Sequence, residues 1–498
     1  MIPKALILTT ITLGVSSVLA SAQTNQSAQA MSATAPAPTL SSTEQTINDI
    51  KNPFPWLSWG MDLRLRNEYF KDLLTLNPRA PLAEQDYFRF RGRLWASVMP
   101  VDDLSFNARL ASEPREWMKP AGYTVFAPNS GLDMTEGIVD NLNMKWNNIL
   151  GQPLSATVGR QDIFIGDGWL VGDGTPYDGS WTYFLDSARL AYEFKEQQTT
   201  VEAIGIIQDA RDNGWMPVIN AEQERLLTEQ NEKGAIFQVA NTTMKAANLT
   251  GYFIYKNDSA ACMPMAQALK YHPDDANIFT LGARVNGLLS DHWKYWVEGA
   301  YQLGEKKYPI LASPYIPADT WRDIAAYGMN SRLTYMLKDK LNNQFTMSFE
   351  MLSGDNPKTG NDEMFDVLWG RWPRWSEIGL YSYAPETRVG QEANLIRFGP
   401  TWSVTPLKDL DFAASYFPLF ALTDVPTLGA TQSLPPGNPS RLFTDSGNFR
   451  GSFISAVLKY KFSRHMTGHL WSEFLFPGDY YVNRDPMCFL RAEVMFTF

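Results

Sequence analysis

The sequence is poor in cysteine and histidine, and it contains no long apolar run after its N-terminal segment. Only Cys262 and Cys488 occur among 498 residues, which excludes a disulfide framework by count. The 4 histidines come without a nucleophile motif or a metal-ligand spacing. No later stretch approaches the ~18 apolar residues of a membrane-spanning helix. We therefore predict no catalytic site, no metal, no cofactor and no nucleic-acid site.

The N-terminal segment has the pattern of a secretory signal peptide. Lys4 supplies a positive charge, residues 5–18 are mostly apolar, and residues 20–22 (Ala-Ser-Ala) provide a small-residue cleavage site. We therefore predict a signal peptide at residues 1–22. Residues 23–55 are rich in Ala, Ser, Thr, Gln and Pro and show no periodicity, so we predict a disordered periplasmic leader there.

Aromatic residues are abundant, and apolar residues alternate with polar ones over many segments. Aromatics make up 13% of the chain, which suits both β-strands and the interface girdles of a membrane barrel. Residues 57–69 place an apolar residue at nearly every second position, with charged residues between them. Residues 488–498 alternate in the same way and end on Phe498. Each segment is long enough, at about 9–11 residues, to cross a bilayer as a strand.

Short turns and long connections alternate along the rest of the chain. Turns such as residues 99–103 and 147–153 are separated by long connections such as residues 116–135 and 354–392. This alternation is typical of barrels with short periplasmic turns and long extracellular loops. We therefore predict an all-β fold over residues 56–498, a transmembrane antiparallel up-and-down β-barrel of about 18 strands in the outer membrane. A soluble secreted β-protein is the alternative left open.

The alternation also sorts charged residues, and bases outnumber acids on the predicted inner face although the net charge of the chain is −10. The inward bases are Arg64, Arg66, Arg89, Arg91, Arg93, Arg109, Arg115, Arg189, Arg284, Arg332, Arg397, Lys459, Lys461 and Arg491. The inward acids are Asp62, Glu68, Glu113, Glu193, Glu298, Glu350, Glu473 and Glu493. A cationic wall favours anions, and a guanidinium matches a carboxylate with two parallel hydrogen bonds. The alternative is that the arginines pair with inward acids and brace the wall, as we predict for Arg491 and Glu493.

Five segments of the sequence resemble the alginate export family of outer-membrane barrels. They are WGMDLRLRNEY at 59–69, VGRQD at 158–162, DSARL at 186–190, LSGD at 352–355 and FDVLWGRWP at 365–373. The resemblance covers most of the chain from about residue 52 onward. It implies a monomeric barrel of 18 strands with an arginine-rich constriction. The solute it implies is alginate, a polymer of uronic acids with one carboxylate on each sugar.

The resemblance also implies which residues contact the solute. These lumen contacts would be Arg64, Arg89, Arg91, Arg109, Arg160, Arg189, Arg397 and Arg491. For Arg160, the alternation of residues 154–158 predicts an outward side chain unless Gly159 marks a bulge. The loop at residues 354–392 is the candidate to fold in and narrow the pore. Its Trp369, Trp372 and Trp375 fit either that role or a small loop core at the membrane interface.

Two functions are compatible with these features. The first is passive export of an anionic, alginate-like polysaccharide through an arginine-lined lumen, and the alternative is a porin for uptake of small anions or oligosaccharides. The predicted partners are outer-membrane lipid, the anionic polysaccharide or oligosaccharide, and a periplasmic secretion or synthase protein as a candidate. We expect the barrel to be a monomer.

Overall fold

The chain folds into a closed β-barrel, and the described segments of two long connections lie in its interior. The computed structural model describes residues 42–72, 76, 78–79, 83–121, 132–133, 138–172, 184–210, 230–260, 275–307, 320–356, 358–370, 375–378, 393–424, 443–444 and 447–498. The predicted signal peptide and the first part of the predicted leader, residues 23–41, lie outside the described residues, as does Trp372.

One α-helix and a series of long strands make up the described chain, together with a single 3₁₀ turn at Ile149–Gly151. The helix, α1, spans Ser42–Lys51. The first ten strands are β1 Leu57–Lys71, β2 Glu84–Val101, β3 Leu104–Ser112, β4 Arg115–Lys119, β5 Leu132–Asp133, β6 Ile138–Trp146, β7 Leu154–Gln161, β8 Leu185–Phe194, β9 Thr199–Gln208 and β10 Gln230–Met244. The others are β11 Ala247–Ala260, β12 Asp275–Leu288, β13 Trp293–Lys307, β14 Trp321–Met336, β15 Gln344–Leu352, β16 Leu395–Leu407, β17 Leu410–Phe420, β18 Phe449–Lys461, β19 Met466–Pro477 and β20 Met487–Thr497.

The described strands form a closed antiparallel barrel of 18 strands, which confirms the predicted fold. Each barrel strand pairs with its neighbours along the chain, and β20 returns to pair with β1. The short strands β4 and β5 extend the wall above β2 instead of adding to the ring. Pro114 separates β3 from β4, because proline has no N–H to donate to the ladder.

Apolar and polar side chains point to opposite faces of the wall. In β1, Leu63 and Leu65 are 50% and 47% exposed. The alternate residues Asp62, Arg64 and Arg66 are at most 3% exposed. Because successive side chains of a strand point to opposite faces, the exposed apolar set lies outside and the buried charged set inside. Among the described residues, no helix is long and apolar enough to cross a bilayer.

Two of the short connections are tight hairpin turns with an aspartate at the strained position. Two-residue turns join β2 to β3 and β16 to β17, where Val101 pairs with Leu104 and Leu407 with Leu410. Asp103 and Asp409, the second residues of these turns, have φ of 67° and 63°. Asp and Asn tolerate this left-handed region because their short side chains can bond the local backbone.

The leader differs from its prediction, because its last part is helical. Helix α1 carries Glu44 in its first turn and Lys51 in its last, which suits the helix dipole. The indole nitrogen of Trp59 donates to the carbonyl oxygen of Ile50 at 2.8 Å, and Glu44 pairs with Arg464 at 2.9 Å. The helix therefore lies at the short-turn end of the barrel, beside the seam between β1 and β20.

Two segments from long connections pack against the inner wall. Residues 163–172 follow β7, and residues 353–378, of which most are described, follow β15. A parallel bridge joins Val171 of the first segment to Trp369 of the second, and another joins Asp362 to Ile324 of β14. Their apolar side chains share buried clusters with inward residues of the barrel strands. The interior is therefore partly filled, and charged wall residues meet loop residues there.

Candidate functional site: the charged interior of the barrel

A network of buried arginines and carboxylates joins β1, β2 and β20. Six predicted arginines belong to it, and most are at most 6% exposed. Arg64 contacts Glu113 at 2.7 Å, and Arg89 contacts both Glu68 and Glu113 at 2.6 Å. The remaining pairs are Arg66 with Glu68 and Glu493, Arg91 and Arg93 with Asp62, and Arg491 with Glu68 and Glu377.

The carboxylates in this network nearly balance the guanidiniums, so its arginines brace the wall. Low-dielectric surroundings make each unmatched charge costly, and close pairing reduces that cost. Glu493, predicted as the brace of Arg491, contacts Arg66 and lies 3.4 Å from His469. Glu68 is the residue that lies opposite Arg491 in the strand register.

Residues 375–378 of the second inward segment dock onto this network. Glu473 of β19 accepts hydrogen bonds from the Ser376 hydroxyl at 3.0 Å and from the Ile378 amide at 2.9 Å. It also accepts from the amide of Glu377, whose own carboxylate pairs with Arg491 at 3.0 Å. The ring of Trp375 packs edge-on against inward aromatic rings of the wall. The predicted loop therefore does fold into the barrel in its described part.

Both inward segments also pack closely against Gly328 of the wall. A Cβ at Gly328 of β14 would lie 2.8 Å from Phe365 and 3.0 Å from Trp169, which belong to the two inward segments. Trp169 and Phe365 also stack on each other, with ring centroids 5.5 Å apart. The backbone N–H of Asp362 donates a hydrogen bond to the backbone carbonyl oxygen of Asp323 at 2.8 Å. Burial raises the pKa of the Asp362 carboxyl to about 6, against an ordinary value of 3.8.

The sequence model of one protein family, described as alginate export, matches residues 55–494 of this chain. The chain belongs to the alginate export family. The resemblance to this family that the five sequence segments indicated is thus confirmed over nearly the whole chain. Among curated proteins, no sequence matches the chain significantly.

Solved structures share the fold at low sequence identity. OpdK of Pseudomonas aeruginosa, in a structure with vanillate, is 9% identical with a TM-score of 0.52, covering 88% of this chain and 98% of OpdK. OccAB2 of Acinetobacter baumannii is 10% identical with a TM-score of 0.51, at 88% and 98% coverage. Another structure of OpdK, described as an outer membrane protein of Pseudomonas aeruginosa, is 9% identical with a TM-score of 0.50. The match covers 89% of this chain and 99% of OpdK. Membership of the alginate export family, together with the barrel fold, makes this protein an outer-membrane channel.

Five more of the predicted arginines of this family member also have acidic partners, whereas Arg115 lies 5.1 Å from the centre of the Tyr87 ring. The pairs are Arg109 with Asp140 and Asp162, Arg189 with Glu202, Arg284 with Glu298, Arg332 with Asp167, and Arg397 with Glu350. Two of these guanidiniums are more exposed than any in the central network. The side chains of Arg189 and Arg332 are 37% and 21% exposed, whereas those of Arg66 and Arg491 are 0% exposed. The partly exposed group is the one that a solute inside the barrel could reach directly.

Arg160 lies apart from this group. Gly159 has a φ of 120°, yet the register is continuous on both sides, where Arg160 pairs with Leu142 and with Asp186. Leu142 is 38% exposed on the outer face. The Arg160 guanidinium bonds Asp186 at 3.0 Å and lies 3.5 Å from the centre of the Phe184 ring. The register thus follows the outward alternative, and a lumen contact by Arg160 stays a prediction.

Three buried interior bases were missed in the sequence. Arg322 pairs with Asp355 at 2.7 Å, and Lys256 pairs with Asp258 at 2.9 Å. Both sit on inward positions of long alternating strands, so the alternation itself could have found them. Arg450 lies over the Tyr480 ring at 4.8 Å. A register shift in β18 beside Gly451 turns it inward, and that glycine inside the strand is the sequence signal that could have indicated the shift.

Metal binding has no support in the part of the chain that the structure describes. No group of three or more His, Cys, Asp or Glu side chains is arranged there as metal ligands. The acidic side chains of the interior contact guanidiniums, ammonium groups and amides. The chemistry that the site offers is therefore recognition of charge and of hydrogen-bonding groups.

Proposed function

We propose that this channel passes an anionic, alginate-like polysaccharide outward by passive diffusion. The observation that carries the proposal is the set of partly exposed arginines on the inner wall of a barrel from the alginate export family. A uronic acid polymer has a carboxylate on each sugar. Guanidiniums at successive places along the wall would then bind successive carboxylates. Each contact would be weak enough to dissociate quickly, so that the polymer can move on.

The predicted arginines divide into two roles in this proposal. Arg93, Arg109, Arg189, Arg284 and Arg332 have side chains at least 10% exposed and would contact the solute. Arg64, Arg66, Arg89, Arg91 and Arg491 would fix the shape and positive potential of the central wall, and Arg397 would do the same on β16. The acids Asp62, Glu68, Glu113, Glu298, Glu350 and Glu493 would hold these arginines in place.

The route to the membrane and the assembly state belong to the same proposal. Cleavage after Ala22 would release the mature chain into the periplasm, and the monomeric barrel would insert into the outer membrane. A periplasmic secretion or synthase protein would deliver polymer to the short-turn end.

Ion selectivity and current block test the proposal. The purified barrel in a planar bilayer should be anion-selective, and oligomers of mannuronic acid should block its current while maltotriose should not. Arg189→Gln should lower anion selectivity, because it removes the most exposed of the predicted guanidiniums. Cation selectivity, or no block by the oligouronates, would contradict the proposal. Block by small monocarboxylates alone would favour a porin for small anions.

A further inference from the structure

A second cluster of arginines and tryptophan lies on the opposite wall, far from the central network. Arg284 of β12, Trp296 of β13 and Arg332 of β14 are inward residues of three adjacent strands. In the ring of 18 strands, β12 lies about half the circumference away from β1. The two arginines lie near the ends of their strands at the short turns, so the cluster faces the short-turn half of the interior, which is periplasmic in outer-membrane barrels.

The two guanidiniums flank one indole ring. Arg284 lies 5.2 Å from the Trp296 ring centre and Arg332 lies 5.0 Å from it, each reaching from a different neighbouring strand. Cations at this distance are attracted to the negative face of the ring. Within the described part of the chain, the buried indole N–H of Trp296 has no hydrogen-bond partner. Arg284 also pairs with Glu298 of the wall at 3.7 Å. The cluster thus combines a partly exposed guanidinium on Arg332, an aromatic ring and an indole N–H without a described acceptor.

An acidic residue from the first inward segment occupies this cluster. The Asp167 carboxylate pairs with Arg332 at 2.8 Å and accepts a hydrogen bond from Asn330 at 3.3 Å. The adjacent Gly166 lies against Arg284, so closely that any side chain there would collide with its guanidinium. Arg332 keeps a 21% exposed side chain despite this contact. A carboxylate thus already sits at the cluster, delivered by a segment that is not part of the wall.

We propose that Arg284, Trp296 and Arg332 form a separate binding site for a carboxylated sugar, whose carboxylate position Asp167 occupies when no sugar is bound. The site rests on the proposed function, because it needs a uronate inside the channel. A pyranose ring would pack its C–H face on the indole, and its carboxylate would exchange with Asp167 on Arg332. Binding would then release residues 163–167 from the wall. The bound sugar would thus displace the segment that narrows the channel on the periplasmic side.

The test compares variants of the full-length barrel in planar bilayers, with a trimer of mannuronic acid added on the periplasmic side. Asp167→Asn keeps the shape of the side chain and removes the competing charge. It should lengthen the blocked time of each event roughly two- to fivefold, the effect of one partly exposed charge pair. Trp296→Leu should shorten it roughly two- to fivefold, the effect of one stacked ring. Maltotriose serves as the neutral control.

A matched control loosens the other inward segment. Asp355→Asn breaks the pair with Arg322, whose donors approach Asp355 at 2.7 Å and 3.0 Å. Arg322 and Arg332 lie on the same strand, and their Cα atoms are about 33 Å apart at the usual rise per residue of a strand. The control pair is therefore far from the proposed site. This variant should leave the blocked time close to that of the unmodified barrel. Gel mobility before and after heating verifies that each variant is folded.

The outcomes separate this inference from the proposed function. An anion-selective barrel that mannuronate blocks, but whose Asp167→Asn and Trp296→Leu variants behave like the unmodified protein, would overturn the inference alone. The same lengthening in Asp355→Asn would also overturn it, because loosening of any inward segment would then suffice. A barrel that mannuronate does not block would overturn both proposals.

Discussion

Arg491 of the last strand lies directly opposite Glu68 of the first strand, so that an ion pair crosses the seam where the barrel closes. Nε of Arg491 donates to the Glu68 carboxylate at 2.7 Å. The same carboxylate receives Arg89 from β2, and Arg491 also reaches Glu377 of the inward segment. Three strands and one inward segment therefore meet at two buried residues, and the seam is coupled to residues 375–378 of that segment.

Replacing Arg491 with Gln should destabilise the closed barrel by about 1.5–3 kcal/mol, because Glu68 and Glu377 each lose a charged hydrogen-bond donor, although Glu68 keeps Arg66 and Arg89. Urea unfolding in lipid vesicles, followed by tryptophan fluorescence and gel mobility, measures the change. Lys119→Gln is the control, because Lys119 and Glu84 form a pair with side chains 53% and 47% exposed. Its loss should cost less than about 1 kcal/mol. Equal unfolding midpoints for the two variants would contradict the structural role of Arg491.

The period of two indicates which side of the wall a residue faces, but it does not determine which residue lies opposite it on the neighbouring strand. Arg491 and Glu68 were both assigned inward from the period of two, and both are buried inside the barrel. The same pattern predicted Glu493 as the brace of Arg491, whereas the register puts Glu68 opposite it. Periodicity within one strand fixes which way a side chain points. The partner across the seam depends on how two strands far apart in sequence align.

The contacts of the inward segments could not be predicted from alternation. Trp369 and Trp375 were singled out as candidates for a loop folded into the pore, and both are buried there. Asp167 carried no such signal, because an acidic residue after a strand usually lies in solvent. Arg450 was missed because a register shift breaks the period locally. These features arise when long connections return to the wall, so they depend on tertiary packing.

Replacing Gly328 with Val should push both inward segments off the wall. Its Cβ would meet Phe365 at 2.8 Å and Trp169 at 3.0 Å, so the two stacked rings would have to shift away from the wall. The expected result is a larger single-channel conductance in planar bilayers with unchanged gel mobility of the barrel. Gly251→Val is the control, because nothing lies within 4 Å of a Cβ at that position. A conductance of the Gly328 variant equal to that of the control would argue against a filled interior.

Docking of the second inward segment should weaken as the pH rises from about 4 to about 6. Burial raises the pKa of Asp362 to about 6 when the segment is docked, against 3.8 when it is free. The docked form therefore binds more protons in this window, and its stability falls as pH increases through it. Single-channel conductance should rise across the window and level off above it. Asp362→Asn should flatten this component of the profile, since the amide does not titrate, and an unaltered profile would refute the assignment.

Glu473→Gln should release residues 375–378 while the barrel stays closed. The carboxylate of Glu473 accepts from the Ser376 hydroxyl and from the amides of Glu377 and Ile378. An amide side chain keeps one acceptor oxygen and turns an NH₂ group towards donors, so about 1–3 kcal/mol of docking energy should be lost. Hydrogen exchange of these two backbone amides measures the release directly.

Ser376→Ala is the graded comparison for that experiment. It removes one donor and leaves both amide hydrogen bonds to Glu473 in place, so it should cost only about 1 kcal/mol and accelerate exchange less. Arg491 would lose its contact with Glu377 in the Glu473 variant but keep Glu68, so the urea midpoint should change less than in Arg491→Gln. Rapid exchange of both amides in the unmodified barrel would mean that Glu473 does not hold the segment. Slow exchange in all three proteins would mean that packing of Trp375 against the wall aromatics is sufficient to hold it.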